Sequence, residues 1–203
     1  RRQIDETKAL RRQAFYMPAA WLSYQSALTA AETLAADPMA ADAQLTAAAA
    51  KLAEADKALD SAAYENLAKG KTAIASSSNE DDYWGWGIRY VTDGNRKNEG
   101  RQAGEYVGYC SNLTPDKDHA EWIYVDLGKE QPVNNMTIYA GSTLIDGKWL
   151  SYGFPKDFTI DVSTDGKNWT TVHTETDFPL SAYGALSFGF DRTEARFVRL
   201  NAQ

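Results

Sequence analysis

Apolar residues recur at helical spacing through the first 63 residues of the chain. One stripe begins just after Pro18, advances in steps of three and four, and consists of Trp21, Tyr24, Leu28, Ala31 and Ala35. A second stripe recurs every seven residues and consists of Leu45, Leu52 and Leu59. The pattern predicts helices over about 4–15, 18–36 and 42–62, packed antiparallel as a three-helix bundle that occupies residues 1–63.

Beyond about residue 66, apolar residues no longer recur at helical spacing but alternate with polar residues, as they do in strands. In 122–128, Trp122, Tyr124 and Asp126 are expected on one face of a strand, and the intervening apolar residues on the other. Further strands are predicted over 133–141, 185–191 and 195–200. Residues 157–175 predict a hairpin that turns at Asp165-Gly166. Short strands at this spacing favour an antiparallel β-sandwich over residues 66–203.

Composition and charge exclude several classes of function. The formal net charge of -7 argues against nucleic acid and anionic lipid as partners. No apolar run approaches the ~20 residues of a membrane span. One cysteine, Cys110, excludes an intrachain disulfide, and two histidines give no zinc pattern and no nucleophile triad. The chain starts without Met and stops inside a strand pattern, so we expect it to be a piece of a longer protein.

The segment SNEDDYWGWGIRYVTDGN, residues 78–95, places two tryptophans in a Gly-rich, acidic loop pattern. Aromatic residues usually lie in a core, as we expect for Trp122 and Trp169 within their strand patterns. Trp84, Trp86 and Trp149 lie instead on Gly-rich loop patterns. Each of these three either packs under its loop or presents a flat ring on which the C–H face of a sugar can stack.

Residues 66–203 resemble the factor V/VIII type C, or discoidin-like, superfamily, and within it the family-32 carbohydrate-binding modules. The resemblance rests on NLAKGKTAIASSS (66–78), YVTDGN (90–95), EWIYVDLGKEQPVNNMTIY (121–139), GFPKDFTIDVSTDGKNW (153–169) and EARFVRL (194–200). The first of these resembles the family's opening strand, and the third its central hairpin. Residues 1–63, with Pro18-Ala19-Ala20-Trp21, are similar to the FIVAR three-helix module of extracellular bacterial enzymes, although Met17 replaces the usual Thr or Ser cap.

The resemblance implies a discoidin-like jelly roll whose last strand is missing, with a sugar site on loops at one end. The polar partners it implies are Tyr109, Asn112, His119, Lys148 and Tyr152, beside Trp84, Trp86 and Trp149. Many relatives carry an arginine after the third strand. Here Ala140-Gly141 takes that place, so Lys148 is expected to substitute, although lysine is a poorer bidentate donor.

The Asp-Gly-Asn loop of the resembling family binds a structural calcium ion. Oxygen ligands on a tight loop suit Ca²⁺, which takes 6–8 oxygens including backbone carbonyls. The resemblance implies Tyr90, Asp93, Asn95 and Asn98 as ligands. A plain Asp-Gly turn is the alternative.

These patterns predict non-catalytic carbohydrate binding that targets a larger secreted bacterial glycoside hydrolase to glycans outside the cell. Galactose-type or N-acetylated hexoses are the expected ligands. Two alternatives stay open. One is an adhesion module for protein or lipid, which Leu144, Ile145 and Leu150 would favour; the other is an accessory domain that packs on the rest of the parent chain.

Overall fold

The computed structural model describes residues 13–94, 108–112, 119–146, 148–151, 153–179 and 184–202. The chain divides into two compact units, residues 1–65 and 66–203. The first unit is helical and the second is built from antiparallel strands.

The helical unit contains α1 (Pro18–Ala36) and α2 (Asp42–Ser61). The start of α1 is tied to the end of α2 by the Met17 amide, which donates to the Ala62 carbonyl at 2.9 Å, so the helices are antiparallel as predicted. The predicted first helix, 4–15, lies outside the described residues up to residue 12, and Gln13–Phe15 form a 3-10 turn. Within the described residues, neither helix has the length and apolar character needed to cross a membrane.

The two helices enclose an apolar core between their predicted stripes. Its buried members are Tyr16, Trp21, Tyr24, Ala31, Ala48, Leu52 and Leu59. Leu45, in the first turn of α2, is exposed. Spacing therefore predicted the buried face of both helices apart from this position near a helix end.

Among its described residues, the second unit has a five-stranded antiparallel sheet and a two-stranded hairpin. The strands are β1 (Thr72–Ala75), β2 (Glu121–Ala140), β3 (Ser142–Ile145), β4 (Lys148–Ser151), β5 (Phe158–Ser163), β6 (Thr170–Glu175) and β7 (Gly184–Ala202). The large sheet has the order β1-β2-β7-β5-β6, and β3 pairs with β4. The predicted hairpin over 157–175 is confirmed as β5 and β6.

The sequence prediction of separate strands over 122–128 and 133–141, and of a central hairpin at 121–139, is wrong. These residues form one continuous strand, β2, and 185–191 and 195–200 likewise form the single strand β7. The two strands run antiparallel along their whole length. Register shifts between Asp126 and Gln131 and between Val133 and Asn135 absorb the residues that suggested a turn.

One face of the large sheet carries the core of this unit. The buried cluster includes Val125 and Leu127 of β2, Phe158 and Ile160 of β5, and Phe188 of β7. Val125 and Leu127 lie on one face of β2 and Tyr124 and Asp126 on the other, in agreement with the predicted alternation.

Trp122 and Trp169 are not core residues, contrary to prediction. Both are half-buried, and they contact Tyr124 on the face opposite the core, where Phe197 also packs. Arg199 lies over the Trp169 ring at 4.2 Å from its centroid and donates to the buried Asp161. Alternation placed Trp122 and Tyr124 on one face, but it could not tell that this face holds a separate aromatic cluster.

Candidate functional site

A tight loop at residues 81–86 presents two aromatic rings to solvent. Tyr83 is 79% exposed and Trp84 is 44% exposed. Their rings meet edge to face, with centroids 5.0 Å apart and an interplanar angle of 90°. Edge-to-face contacts are worth about 0.5–1.5 kcal/mol beyond area burial, so each ring restrains the other.

The backbone of this loop is closed by hydrogen bonds between its two ends. The Asp81 amide donates to the Trp86 carbonyl at 3.2 Å, and the Trp86 amide donates to the Asp81 carbonyl at 2.9 Å. The Asp81 carboxylate also accepts the amides of Tyr83 at 2.9 Å and Trp84 at 3.1 Å. Gly85 supplies the positive φ of 70° that the turn requires. The two exposed rings therefore project from a turn with a defined backbone.

Arg89 braces the same loop from outside. Its guanidinium donates to Glu80 at 3.0 Å and also pairs with Asp82. Glu80 accepts in addition from Ser78 and from the Ile88 amide, and these bonds, with the Arg89 charge, hold its carboxyl pKa below the ordinary value. Glu80, Asp82 and Arg89 therefore serve as internal links of the loop.

Trp86 faces inward, unlike Trp84. It is half-buried, and its ring lies 3.8 Å from the position that a Cβ on Gly108 would occupy. The Gly87 amide donates to Gly108 at 2.9 Å, and the Gly108 amide donates to Gly85 at 3.1 Å. Trp86 therefore packs against Gly108 and joins the loop to residues 108–112, while Trp84 is the exposed tryptophan of the pair.

A polar cluster lies where β1 ends and β2 begins, and Glu121 is its centre. The Glu121 carboxylate accepts hydrogen bonds from Ser77 Oγ at 2.6 Å, from His119 Nε2 at 2.8 Å, and from Ser76 Oγ. The backbone N–H of Asn112 donates a hydrogen bond to Ser77 Oγ at 3.0 Å. The Tyr109 hydroxyl donates to the Ser77 carbonyl, also at 3.0 Å.

The charge states in this cluster follow from its contacts. Burial opposes ionisation of Glu121, but hydrogen bonds from Ser76, Ser77 and His119 outweigh it and lower the Glu121 pKa. Burial, together with the nearby Glu121 and Cys110, raises the pKa of Tyr109 to about 12, so its hydroxyl stays a donor at neutral pH. The cluster therefore offers an ionised acceptor beside the exposed His119, which is 39% exposed.

The structure brings five of the eight predicted sugar-site residues to one connected region. Trp84 and Trp86 lie on the loop, and residues 85–87 bond to Gly108, which leads into Tyr109 and Asn112. His119 joins through Glu121. Among the other three, Lys148 and Trp149 lie on β4, paired in the backbone with Ile145 and Leu144 of β3. Tyr152 lies outside the described residues, as do the side chains of β3 and β4.

The predicted calcium loop is described only in part. Tyr90 ends a 3-10 turn (Ile88–Tyr90) and is half-buried, and Asp93 is exposed. Asn95 and Asn98 lie outside the described residues. Across the part of the chain that the structure describes, no group of three or more His, Cys, Asp or Glu residues could hold a metal ion. The ligands that the resemblance implies would offer the Asp93 carboxylate together with amide and carbonyl oxygens, which are donors of the kind that Ca²⁺ takes.

Sequence reasoning missed Tyr83, Ser77 and Glu121. Tyr83 directly precedes Trp84 and follows Asp81 by two residues, a spacing at which an aspartate commonly bonds a turn amide. Glu121 follows His119 by two residues at the first position of β2. These local spacings were the available signals, whereas the contact of Ser77 with Asn112 depends on the tertiary fold.

The region combines the two features that binding of a neutral polyol requires. The exposed rings of Tyr83 and Trp84 can cover an apolar C–H face, and the hydroxyl, amide and imidazole groups near Glu121 can exchange hydrogen bonds. Among the described residues of this region, Tyr83, Trp84 and His119 are exposed.

Solved structures similar to this chain include the following two, and the second of them, with a TM-score above 0.5, shares its fold. Chitosan-binding module 1 of a chitosanase/glucanase from Paenibacillus sp. IK-5 is 27% identical, covering 69% of this chain and 87% of that chain, with a TM-score of 0.49. The lectin domain of lectinolysin, solved with Lewis B antigen, is 22% identical, covering 68% of this chain and 85% of that chain, with a TM-score of 0.51. Among curated proteins, none matches this sequence.

The F5/8 type C domain family matches residues 73–203. The predicted fold class, helices followed by an antiparallel discoidin-like β domain, is confirmed in that form. Because the match spans more than half of the sequence, this chain belongs to the F5/8 type C domain family.

Proposed function

We propose that residues 66–203 bind carbohydrate without catalysis and target a larger secreted bacterial glycoside hydrolase to glycans. The observation that carries this proposal is the Tyr83–Trp84 pair, two exposed rings held at 90° on a hydrogen-bonded loop. Two adjacent exposed aromatic rings form a contiguous apolar patch, and such patches commonly mark ligand-binding surfaces.

The composition of the region favours a neutral sugar. The loop carboxylates Asp81, Glu80 and Asp82 are engaged by amides or by Arg89, and Glu121 is engaged by Ser77 and His119. An anionic sugar would meet this group of carboxylates unfavourably. The fold is shared with a lectin domain solved with Lewis B antigen, which also supports glycan as the ligand class. Galactose-type and N-acetylated hexoses are the first to test.

A shallow surface of this kind supports modest affinity. Dissociation constants of roughly micromolar to millimolar correspond to about -8 to -4 kcal/mol. Such a module contributes to a larger enzyme by keeping it near its substrate, which raises the effective concentration. The helical unit, which we propose to be FIVAR-like, would act as a spacer or packing partner in the parent chain.

The test is a glycan array probed with the 203-residue chain, followed by calorimetry on the best ligand. Trp84→Ala is expected to weaken binding at least tenfold, or about 1.4 kcal/mol, with little change in melting temperature because the ring is 44% exposed. Leu22→Ala is the matched control, since Leu22 is 64% exposed but lies on α1. Absence of binding to every glycan, or unchanged affinity in Trp84→Ala, would overturn the proposal.

We also propose that the loop containing Tyr90 and Asp93 holds a structural calcium ion, with Asn95 and Asn98 as further ligands. The donor set of one carboxylate, amides and a carbonyl suits this cation in kind. Adding calcium to chelator-treated protein is expected to raise the melting temperature, and Asp93→Ala is expected to remove that response. An equal response in Asp93→Ala would place any bound calcium elsewhere.

A further inference from the structure

The carboxylate of Asp81 lies at the base of the aromatic loop and contacts the backbone of both exposed aromatic residues. Its Oδ1 accepts the Tyr83 amide at 2.9 Å and the Trp84 amide at 3.1 Å. Its own amide and carbonyl pair with Trp86. A single half-buried residue thus makes four hydrogen bonds that define the backbone from which both rings project.

The neighbouring carboxylates have different contacts. Glu80 accepts from Ser78, Ile88 and Arg89, and Asp82, whose side chain is 93% exposed, pairs with Arg89. These bonds brace the flanks of the loop. The Asp81 carboxylate instead accepts hydrogen bonds from the backbone amides of Tyr83 and Trp84, the two residues whose rings are exposed. Asp81 and Asp82 are therefore adjacent residues of equal charge with separable structural roles.

This geometry matters for binding because exposed side chains lose freedom when a ligand covers them. Ordering such a side chain costs conformational free energy, and a scaffold that fixes it beforehand reduces that cost. The turn closed by Asp81 restricts the backbone under both rings at once, and their edge-to-face contact at 5.0 Å restricts them further.

We propose that Asp81 is the positioning residue of the sugar site: its carboxylate fixes the backbone turn that holds Tyr83 and Trp84 in a binding-competent arrangement before a ligand arrives. The residue acts through these two rings and through geometry rather than charge. This inference rests on the proposed carbohydrate-binding function for its affinity measurements, but its structural content can be measured without any ligand.

Four variants separate geometry from charge. Asp81→Asn keeps the side-chain oxygen that accepts both amides and removes the charge, so affinity is expected within twofold of the parent protein. Asp81→Ala removes the acceptor, and Asp81→Glu keeps the charge but displaces it by one methylene. Both are expected to weaken glycan binding about five- to tenfold. Glu54→Ala, the control, removes one negative charge from the exposed surface of α2 and is expected to bind like the parent.

A ligand-free readout uses protein labelled with 5-fluorotryptophan, with the Trp84 fluorine resonance assigned from Trp84→Phe. The Trp84 resonance is expected to shift and narrow in Asp81→Ala and Asp81→Glu, as its turn becomes mobile. The resonances of the four tryptophans outside residues 81–86 are expected to stay in place and report an intact fold. Asp81→Asn and Glu54→Ala are expected to leave the Trp84 resonance unchanged. If Asp81→Ala does not fold, Asp81→Glu decides the same question.

The outcomes distinguish this proposal from the proposed function. If the parent protein binds no glycan but the Trp84 resonance responds as expected, the binding function fails and the positioning role stands. If Asp81→Ala and Asp81→Glu retain both the affinity and the resonance of the parent, Asp81 does not position the rings. Weakening in Asp81→Asn equal to that in Asp81→Ala would mean that charge, not the turn, supports binding.

Discussion

Individual side chains in this protein differ in role from what residue type alone suggests. Trp84 and Trp86 are two residues apart in the same Gly-rich pattern, yet Trp84 is exposed and Trp86 packs toward Gly108. The difference arises because the turn closes between Asp81 and Trp86, which leaves Tyr83 and Trp84 at its tip. Composition marked the segment as unusual, but the hydrogen-bonded closure determines which ring is available to a ligand.

Sequence reasoning at the residue scale succeeded where the signal was local. The buried Trp21, Tyr24, Leu52 and Leu59 follow directly from helical spacing. Glu121 was missed because its partners Ser76 and Ser77 lie more than 40 positions earlier in the chain. Such a contact exists only once β1 and β2 are paired.

Glu121 is expected to stabilise the fold in a pH-dependent way. Glu121→Ala removes the acceptor of Ser76, Ser77 and His119, and is expected to lower the free energy of unfolding by about 1–3 kcal/mol at neutral pH. Because the pKa of Glu121 is lowered in the folded state, its stabilisation is present above the ordinary glutamate pKa of about 4.3 and is lost as the pH falls below it.

Urea unfolding at pH 7 and at pH 3.5 measures this contribution. The difference between the parent protein and Glu121→Ala is expected to shrink at the lower pH. Glu54→Ala, on the exposed surface of α2, is the control and is expected to change little at either pH. A difference that is equally large at both values would show that the ionised carboxylate is not what stabilises this junction.

At the scale of elements, turn residues in the sequence predicted a hairpin correctly only where the turn's hydrogen bonds are all made within the turn itself. In the β5–β6 hairpin, the Asp165 carboxylate accepts the amides of Lys167 and Asn168, both at 2.8 Å, and Gly166 adopts the positive φ of 72°. These bonds hold the Asp165 pKa well below its usual range. The local sequence therefore contains every group that the turn needs, and the prediction was confirmed.

The middle of β2 shows the opposite case. Residues 128–132 read as a turn, but Gln131 and Pro132 pair with Ala195 and Glu194 of β7, and the strand continues. The strand continues because β7 pairs with β2 on both sides of this segment, and a register shift accommodates the extra residues of β2. Polar and Gly-rich composition cannot distinguish a hairpin turn from an irregularity inside a long strand pair when the partner lies some 60 residues away.

The same limit applies to the aromatic cluster of Trp122, Tyr124, Trp169 and Phe197. Alternation along β2 placed Trp122 and Tyr124 on one face, and Trp122 was expected in a core because aromatic residues usually lie there. In the fold, the core is the face with Val125 and Leu127, and the aromatic face is partly covered by Arg199 and Arg196. Long cationic side chains can cover apolar rings, so aromatic content alone does not identify the buried face.

At the scale of the whole chain, each unit contains its own apolar core. Leu59 is fully buried in the helical unit, and Ile160 is fully buried in the β unit. All the residues of the proposed sugar site lie in the β unit. The helical unit is therefore expected to be dispensable for glycan binding, which distinguishes a spacer from a part of the binding site.

Two core variants test this division of roles. Leu59→Ala and Ile160→Ala each leave a cavity in one core and are expected to lower the free energy of unfolding of that unit by about 2–5 kcal/mol. Leu59→Ala is expected to lower one calorimetric transition and leave glycan affinity at 25 °C unchanged. Ile160→Ala is expected to lower the temperature of the other transition, and glycan binding is expected to disappear at that lower temperature on heating. If both variants lower the temperature of one shared transition, the two units unfold together. If Leu59→Ala weakens binding as strongly as Trp84→Ala, the helices belong to the functional site.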